Sequence, residues 1–136
     1  MIRKGSAEWK GSLKEGKGTV SLESGVLKDA QYSYKTRFEN GKGTNPEELI
    51  GAAHAGCFSM QLSAFLTEDG FEPDEVQTTS EITFEDGEVK KSHLILSAVV
   101  PGIDKDKFEK IANKAKENCP LSKLLNAEIT LEYDLK

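Results

Sequence analysis

The sequence predicts a small α+β protein in which strands are grouped around two separate helices. The chain has 136 residues, which suits one domain spanning residues 1–136. Alternating strand patterns fall in groups, and two helical patterns, near residues 46–68 and 103–118, are separated by a predicted hairpin. The resulting order, ββ(β)–α–ββ–α–β, differs from the regular strand–helix alternation of a doubly wound sheet.

The first forty residues have the pattern of antiparallel strands. Residues 7–24 contain two short runs divided by KEGKG, a turn rich in glycine. Residues 30–40 alternate with a period of two, which predicts a third strand. One face would carry Tyr32, Tyr34, Thr36 and Phe38, and the other Gln31, Ser33, Lys35 and Arg37. Arg37 would lie near the end of that strand, on the face opposite Phe38 and just before an ENGKG turn.

A long helix follows, with a clear start. Asn45 suits the N-cap, Pro46 the first helical position and Glu48 the third residue of a capping box. We expect the helix to run to about Glu68 and to end at Gly70. Residues 49–67 carry no formal charge. A helix that is apolar nearly all round is normally enclosed on all sides, and one short chain has few other helices with which to enclose it.

The second half of the chain predicts a hairpin, a helix and a final strand. Residues 76–100 alternate on both sides of an Asp-Gly turn, and His93 there is read as structural or solvent-facing. Residues 103–118 are amphipathic, and Pro120 should break that helix after Cys119. The helix face predicted to be apolar comprises Phe108, Ile111, Ala112, Ala115 and Cys119. Residues 121–125 can form one more turn, and residues 127–135 alternate as a strand.

Composition excludes several functional classes. The net charge is −5 with no basic stripe, so we do not expect a nucleic-acid partner. The uncharged run is as long as a membrane span, but its polar residues and the hydrophilic chain argue against one. The first ten residues lack the apolar core of a signal peptide, so we expect a cytoplasmic protein. Two cysteines without CxxC spacing predict neither a disulfide framework nor a structural zinc site.

The residues alone leave two interpretations of each cysteine. Cys57 is either a buried small hydrophobe or a reactive thiol, and reactivity would require a nearby cation or donor such as His54 or Arg37. A neutral, hydrogen-bonded histidine is also a common core feature. Cys119 is either a core residue or, because it stands at a helix break before Pro120, a thiol able to move and close a disulfide.

Four segments carry a resemblance to a known family. They are GKGTVSLESGVL, TRFENGKGTNPEELIGAAHAGCFSM, PGID and AKENCPLSKLLNAEITLEYDL. Together they resemble the OsmC branch of the OsmC/Ohr family of thiol peroxidases over residues 9–135. The resemblance implies an OsmC-like intertwined homodimer with antiparallel sheets wrapped around central helices. It implies an enzyme of oxidative and osmotic stress defence that reduces organic hydroperoxides, and hydrogen peroxide less well, to alcohol and water.

The resemblance also assigns roles to four residues. Cys57 matches the peroxidatic cysteine and Cys119 the resolving cysteine. Arg37 matches the arginine that favours the thiolate, and Glu47 matches the glutamate that orients this arginine. The implied partners are a hydroperoxide substrate and an external dithiol reductant. No metal or other cofactor is expected, because sulfur carries both electrons.

Helix geometry gives an independent reason to expect a dimer. Glu47 and Cys57 are ten residues apart, which is about 15 Å along a helix and roughly 80° around it. They cannot share one site within an unbroken helix, so Glu47 would have to serve Cys57 of a second subunit. The run of small residues Gly51, Ala52, Ala53, Ala55 and Gly56 would let the two helices approach closely.

Two other functions fit parts of the sequence. A non-enzymatic dimeric stress or ligand-binding protein could hold a small hydrophobic molecule in an apolar cleft and keep both cysteines in its core. Counting free thiols with and without peroxide would distinguish this protein from a peroxidase. A thioredoxin-like oxidoreductase is disfavoured, because the chain has no CxxC at a strand–helix junction.

Overall fold

The structure is a computed structural model that describes residues 1–136, and it confirms the α+β class. The chain divides into two compact units, residues 1–49 and residues 50–136. The expectation of a single domain stays a prediction. The elements, in order, are β1 (Gly5–Lys10), β2 (Lys17–Leu22), β3 (Ala30–Tyr32), α1 (Tyr34–Phe38), α2 (Pro46–Glu68), β4 (Glu75–Glu85), β5 (Glu88–Val99), α3 (Lys105–Asn118), α4 (Pro120–Leu124) and β6 (Glu128–Leu135).

The first unit contains an antiparallel sheet in the order β1-β2-β3. The strand predicted for residues 30–40 was wrong beyond Tyr32, where the chain forms the short helix α1. Ser33 and Thr36 cap each other: the Ser33 N–H donates to Thr36 Oγ1 at 2.8 Å, and the Thr36 N–H donates to Ser33 Oγ at 3.3 Å. This reciprocal cap satisfies backbone donors at the helix start, so it favours a helix despite the alternating pattern. Arg37 therefore lies on a helix and not on a strand.

Helix α2 has the bounds that its sequence predicts. The Glu48 N–H donates to Asn45 Oδ1 at 2.8 Å, which confirms the N-cap. In the predicted capping box, the Glu48 carboxylate would accept a hydrogen bond from the Asn45 N–H. In the structure it accepts instead from Thr44 Oγ1 at 2.9 Å. At the other end, beside Gly70, the Phe71 N–H donates to the Leu66 carbonyl at 2.9 Å and closes the last turn.

Only one face of α2 is buried within the chain. The buried residues are Gly51, His54, Phe58, Leu62 and Leu66. The opposite face is exposed and consists largely of small or apolar residues: Ala52, Ala53, Gly56, Met60 and Ala64. The helix is long and apolar enough to cross a membrane by length and composition, a test that core helices of soluble proteins also pass. One subunit therefore does not provide the enclosure expected for this helix.

The second unit contains a sheet in the order β4-β5-β6. Strands β4 and β5 form the predicted hairpin, and Asp86 and Gly87 at its turn have φ of 54° and 75°, the positive values of a tight hairpin turn. The prediction of wholly antiparallel sheets was wrong for β6, which pairs with β5 in parallel. A crossover through α3 and α4 separates β5 from β6, and such a crossover allows parallel pairing. His93 on β5 bonds across to β6, with Nδ1 2.6 Å from Thr130 Oγ1.

The apolar face predicted for α3 is confirmed, since all five of its residues are buried. Cys119 ends α3 and starts α4. Its φ of −59° and ψ of 129° place it outside the helical region, as expected for a residue before proline. Phe58, Leu62 and Leu66 of α2 belong to the same hydrophobic core as the α3 residues.

Candidate functional site

The two cysteines lie side by side, although 62 positions separate them in the sequence. Cys57 is on α2, and Cys119 is at the break between α3 and α4. Their sulfur atoms are 3.0 Å apart, and both are free thiols. A disulfide bond is about 2.05 Å long, so closing the sulfur pair needs a movement of only about 1 Å. Cys119 is fully buried and Cys57 is half-buried, so Cys57 is the more accessible thiol.

The surroundings of Cys57 within its own unit keep the thiol protonated. Burial raises the pKa of the Cys57 thiol, and its side-chain contact with the Cys119 thiol raises it further. The backbone N–H of Leu121 donates a hydrogen bond to the Cys57 sulfur and lowers the pKa. The net direction is upward, so a thiolate at neutral pH needs an additional positive charge.

Arg37 and Glu47 form a second pair, entirely within the first unit. Arg37 Nη2 donates to Glu47 Oε1 at 2.7 Å, and Arg37 Nε donates to the same oxygen at 3.0 Å. The Glu47 side chain is 14% exposed and the Arg37 side chain 37% exposed. Nε also donates to Glu47 Oε2 at 3.2 Å. Because two guanidinium nitrogens donate to one carboxylate, the guanidinium is held in one orientation.

The loop between α1 and α2 holds this pair in place. Asn45 Nδ2 donates to the Thr36 carbonyl at 3.2 Å, which ties the start of α2 to α1. Gly43 lies against the Gln31 backbone with φ of +136°, and a Cβ there would be 2.4 Å from the Gln31 carbonyl oxygen. Only glycine fits this position, so the loop is tightly folded. As a result, Arg37 and Glu47, ten positions apart, come together.

An aromatic cleft of about 300 Å³ lies beside Arg37 in the first unit. Its lining residues are Trp9, Leu13, Tyr32, Ser33, Tyr34, Arg37 and Phe38. The guanidinium carbon of Arg37 is 5.4 Å from the centre of the Phe38 ring, within the range of a cation–π contact. The cleft therefore combines apolar walls with one charged group.

His54 is fully buried and is hydrogen-bonded within a chain of serine hydroxyl groups that the sequence did not predict. Its Nδ1 is 2.6 Å from Ser92 Oγ, and its Nε2 is 2.8 Å from Ser122 Oγ. Ser92 Oγ is in turn 2.7 Å from Ser80 Oγ. Burial lowers the pKa of His54, which favours the neutral ring. No short-range signal marks these serines, because they are distant in sequence from His54.

The predicted site residues thus form two separate pairs, Arg37 with Glu47 and Cys57 with Cys119. Helix α2 is continuous from Pro46 to Glu68, so Glu47 and Cys57 remain about 15 Å apart along its axis. No group of three or more histidine, cysteine, aspartate or glutamate side chains is placed to hold a metal ion. The cysteine pair supplies two thiols, and the Arg37–Glu47 pair supplies a guanidinium held in one orientation.

Comparison with known proteins agrees with the fold and with the sequence motifs. The family model described as OsmC-like protein matches residues 39–134. Peroxiredoxin OsmC of Escherichia coli is 53% identical, with 98% of this chain and 96% of that protein covered. Organic hydroperoxide resistance protein OhrB of Bacillus subtilis is 30% identical, with 88% and 89% covered.

A solved structure shows the same fold at low sequence identity. An OsmC-like protein of unknown function from Vibrio cholerae superposes with a TM-score of 0.76 at 17% identity, covering 98% of this chain and 99% of that one. Such a likeness concerns the fold alone. Together with the matching family model and the E. coli relative, it leads to one conclusion: the chain belongs to the OsmC-like protein family.

Proposed function

We propose that this protein is a cysteine-based peroxidase that reduces organic hydroperoxides, and hydrogen peroxide less well, to alcohol and water. The observation that carries the proposal is the pair of free thiols, half-buried Cys57 and buried Cys119, 3.0 Å apart. Two of the relatives are named a peroxiredoxin and an organic hydroperoxide resistance protein, which supports peroxide chemistry. The protein would act in the reducing cytoplasm.

The reaction begins at Cys57. Its thiolate attacks the distal peroxide oxygen, the O–O bond breaks, and the alkoxide leaves and takes up a proton to become the alcohol. Cys57 is then a sulfenic acid. Cys119 attacks its sulfur, which forms a Cys57–Cys119 disulfide and releases water. An external dithiol restores both thiols by exchange and is itself oxidised to a disulfide.

The positive charge that Cys57 requires would come from Arg37 of a second subunit. A guanidinium close to the sulfur favours the thiolate and can also stabilise the charge that develops on the leaving oxygen. Because α2 is continuous, Glu47 cannot reach Cys57 of its own helix. A two-fold dimer that packs the exposed faces of α2 together would bring the Arg37–Glu47 pair of one chain to Cys57 of the other.

The composition of the exposed α2 face supports such a dimer. Ala52, Ala53 and Gly56 are exposed and small, so two helices could approach closely there. Met60, on the same face, is 77% exposed. Burying this uncharged face against the same face of a second subunit would remove apolar surface from water and stabilise the dimer. The aromatic cleft beside Arg37 would then accept the apolar part of an organic peroxide.

Peroxide consumption tests the enzymatic function. The reduced protein is mixed with cumene hydroperoxide or tert-butyl hydroperoxide, and dithiol-dependent consumption is followed. Cys57→Ser should abolish it, whereas Cys119→Ser should react once and then stop as a sulfenic or over-oxidised species. Consumption by Cys57→Ser at the wild-type rate would refute the role of Cys57. A protein that retains both thiols after peroxide would instead match the ligand-binding alternative.

Mixing two inactive variants tests the shared site. Arg37→Ala and Cys57→Ser should each lose activity. After subunit exchange at equal amounts, half of the dimers are mixed, and each has one complete site if Arg37 acts across the interface. About one quarter of the wild-type activity should then return. No recovery after verified exchange would show that Arg37 does not act on Cys57 of the partner.

A further inference from the structure

We propose that the hydrogen bond between His54 and Ser122 is a tether that holds the resolving cysteine over Cys57. His54 precedes Cys57 by one helical turn, and Ser122 follows Cys119 by three residues. The proposal rests on the proposed peroxidase function and adds two positioning residues to it. It concerns the step in which the sulfenic acid is converted to a disulfide.

Helix α4 is a short element that is only partly buried. It has five residues, none of them buried, and its first residue is proline. The Cys119 backbone in front of it lies outside the helical region, and Pro120 has no N–H to donate, so the regular hydrogen bonds of α3 do not continue into α4. Leu121 is half-buried and packs against the core, whereas Lys123 and Leu124 are exposed. A short, partly exposed turn of this kind has low local stability unless side-chain contacts hold it.

Besides the packing of Leu121, three polar contacts hold this segment against α2. The Cys119 sulfur lies 3.0 Å from the Cys57 sulfur. The Leu121 N–H donates to the Cys57 sulfur. Ser122 Oγ lies 2.8 Å from His54 Nε2. The first two contacts involve the Cys57 sulfur itself and change when that sulfur is oxidised. The His54–Ser122 contact involves no reacting atom and can persist through the oxidation.

The other ring nitrogen of His54, Nδ1, is bonded to the β4-β5-β6 sheet. His54 Nδ1 is 2.6 Å from Ser92 Oγ on β5, and Ser92 Oγ is 2.7 Å from Ser80 Oγ on β4. His54 and Ser92 are both fully buried, and no buried side-chain nitrogen or oxygen lacks a partner. The histidine ring therefore has a fixed orientation, which gives Ser122 a rigid partner.

The tether would matter because the sulfenic acid has two competing fates. Cys119 can attack its sulfur, which forms the disulfide and releases water. A second hydroperoxide can instead oxidise it to sulfinic acid and leave as the alcohol. If the Cys119–α4 segment lies next to Cys57 for a smaller fraction of the time, the disulfide forms more slowly. More of the sulfenic acid is then oxidised to sulfinic acid. One net hydrogen bond corresponds to a change of about threefold to tenfold in such an equilibrium.

The experiment compares Ser122→Ala with wild type after one equivalent of cumene hydroperoxide. Rapid quenching and mass spectrometry follow the thiol, sulfenic, disulfide and sulfinic forms over time. We expect Ser122→Ala to form the sulfenic acid at the wild-type rate. Its disulfide should form about threefold to tenfold more slowly, with more sulfinic acid at higher peroxide. Ser122→Thr, which keeps a hydroxyl, should restore the rate.

Ser59→Ala provides the matched control. Ser59 Oγ on α2 lies 2.7 Å from Thr78 Oγ1 on β4, a similar bond that does not involve α4. This variant should close the disulfide at the wild-type rate. Normal closure in Ser122→Ala, or equal slowing in Ser59→Ala, would overturn the tether. If the wild type itself forms no disulfide, the proposed function fails and the tether fails with it.

Discussion

Replacing Met60 with alanine should weaken the proposed dimer and leave the subunit folded. Met60 is 77% exposed on the open face of α2, whereas Leu62, two positions later, is fully buried. Complete burial of a methionine side chain contributes about 1.5–3 kcal/mol, of which alanine retains a part. Each copy would then lose about 1–2 kcal/mol. A two-fold interface contains two copies, so the dissociation constant should rise about 30-fold to 700-fold.

Sedimentation velocity over a range of protein concentrations measures this change. Met60→Leu is the matched control, because it conserves apolar volume and should dimerise like wild type. Met60→Glu should be a folded monomer by circular dichroism, since a dimer would bury two like charges. It should also lose peroxidase activity, because the Arg37–Glu47 pair of the partner would be missing.

Two results would refute this reasoning. If Met60→Ala changed the dissociation constant by less than about threefold, the open face of α2 would not be the interface. If monomeric Met60→Glu kept full peroxidase activity, a single subunit would contain the whole site. The second result would leave the thiol chemistry intact and would remove only the role of the partner.

Three further predictions concern stability and pH. Leu62 is fully buried, so Leu62→Ala should lower the free energy of unfolding, measured by urea titration, by about 3–5 kcal/mol. A loss below about 1 kcal/mol would contradict this packing. Arg37→Gln should move the pH–rate profile of peroxide reduction to higher pH, because in the proposed dimer it removes the partner's cation from Cys57 and so raises the Cys57 pKa. An unmoved profile would argue against the proposed role of the arginine. Burial lowers the folded-state pKa of His54, so the unfolded chain binds more protons and stability should fall as pH drops below about 6.5. His54→Gln should flatten that fall in pH-dependent thermal denaturation, and an equally steep fall would exclude His54 as its source.

The elements that the sequence predicted well are those with local signals. Asn45 and Pro46 mark the start of α2, and the Asp86–Gly87 turn marks the β4–β5 hairpin. Helix α1 was missed because its cap pairs Ser33 with Thr36, whereas the common sequence signature has glutamate or glutamine at the second position. The alternation of aromatic residues there indicated a strand.

The features that the sequence could not predict are contacts between distant residues. The parallel pairing of β6 with β5 follows from a crossover whose path no local pattern records. His54 bonds to Ser92 and Ser122, which are 38 and 68 positions away. Serine is a common surface residue, so its spacing carries no information about a buried partner. Cys57 and Cys119 were paired through the family resemblance, and only the fold gives their separation.

The position of Cys57 around α2 shows why the register of this helix matters. At about 100° per residue, His54, Phe58 and Leu62 fall within one arc that faces the core, and Gly56 and Met60 fall within the opposite arc. Cys57 falls at the border between the two arcs, which agrees with its half-buried state. From that border the thiol contacts Cys119 on the core side and, in the proposed dimer, would face the partner subunit on the other side. One residue added to α2 between its start and Cys57 would rotate the start of the helix by about 100° relative to Cys57. The position of the N-cap therefore also sets the direction from which the partner's Arg37 would approach Cys57 in the proposed dimer.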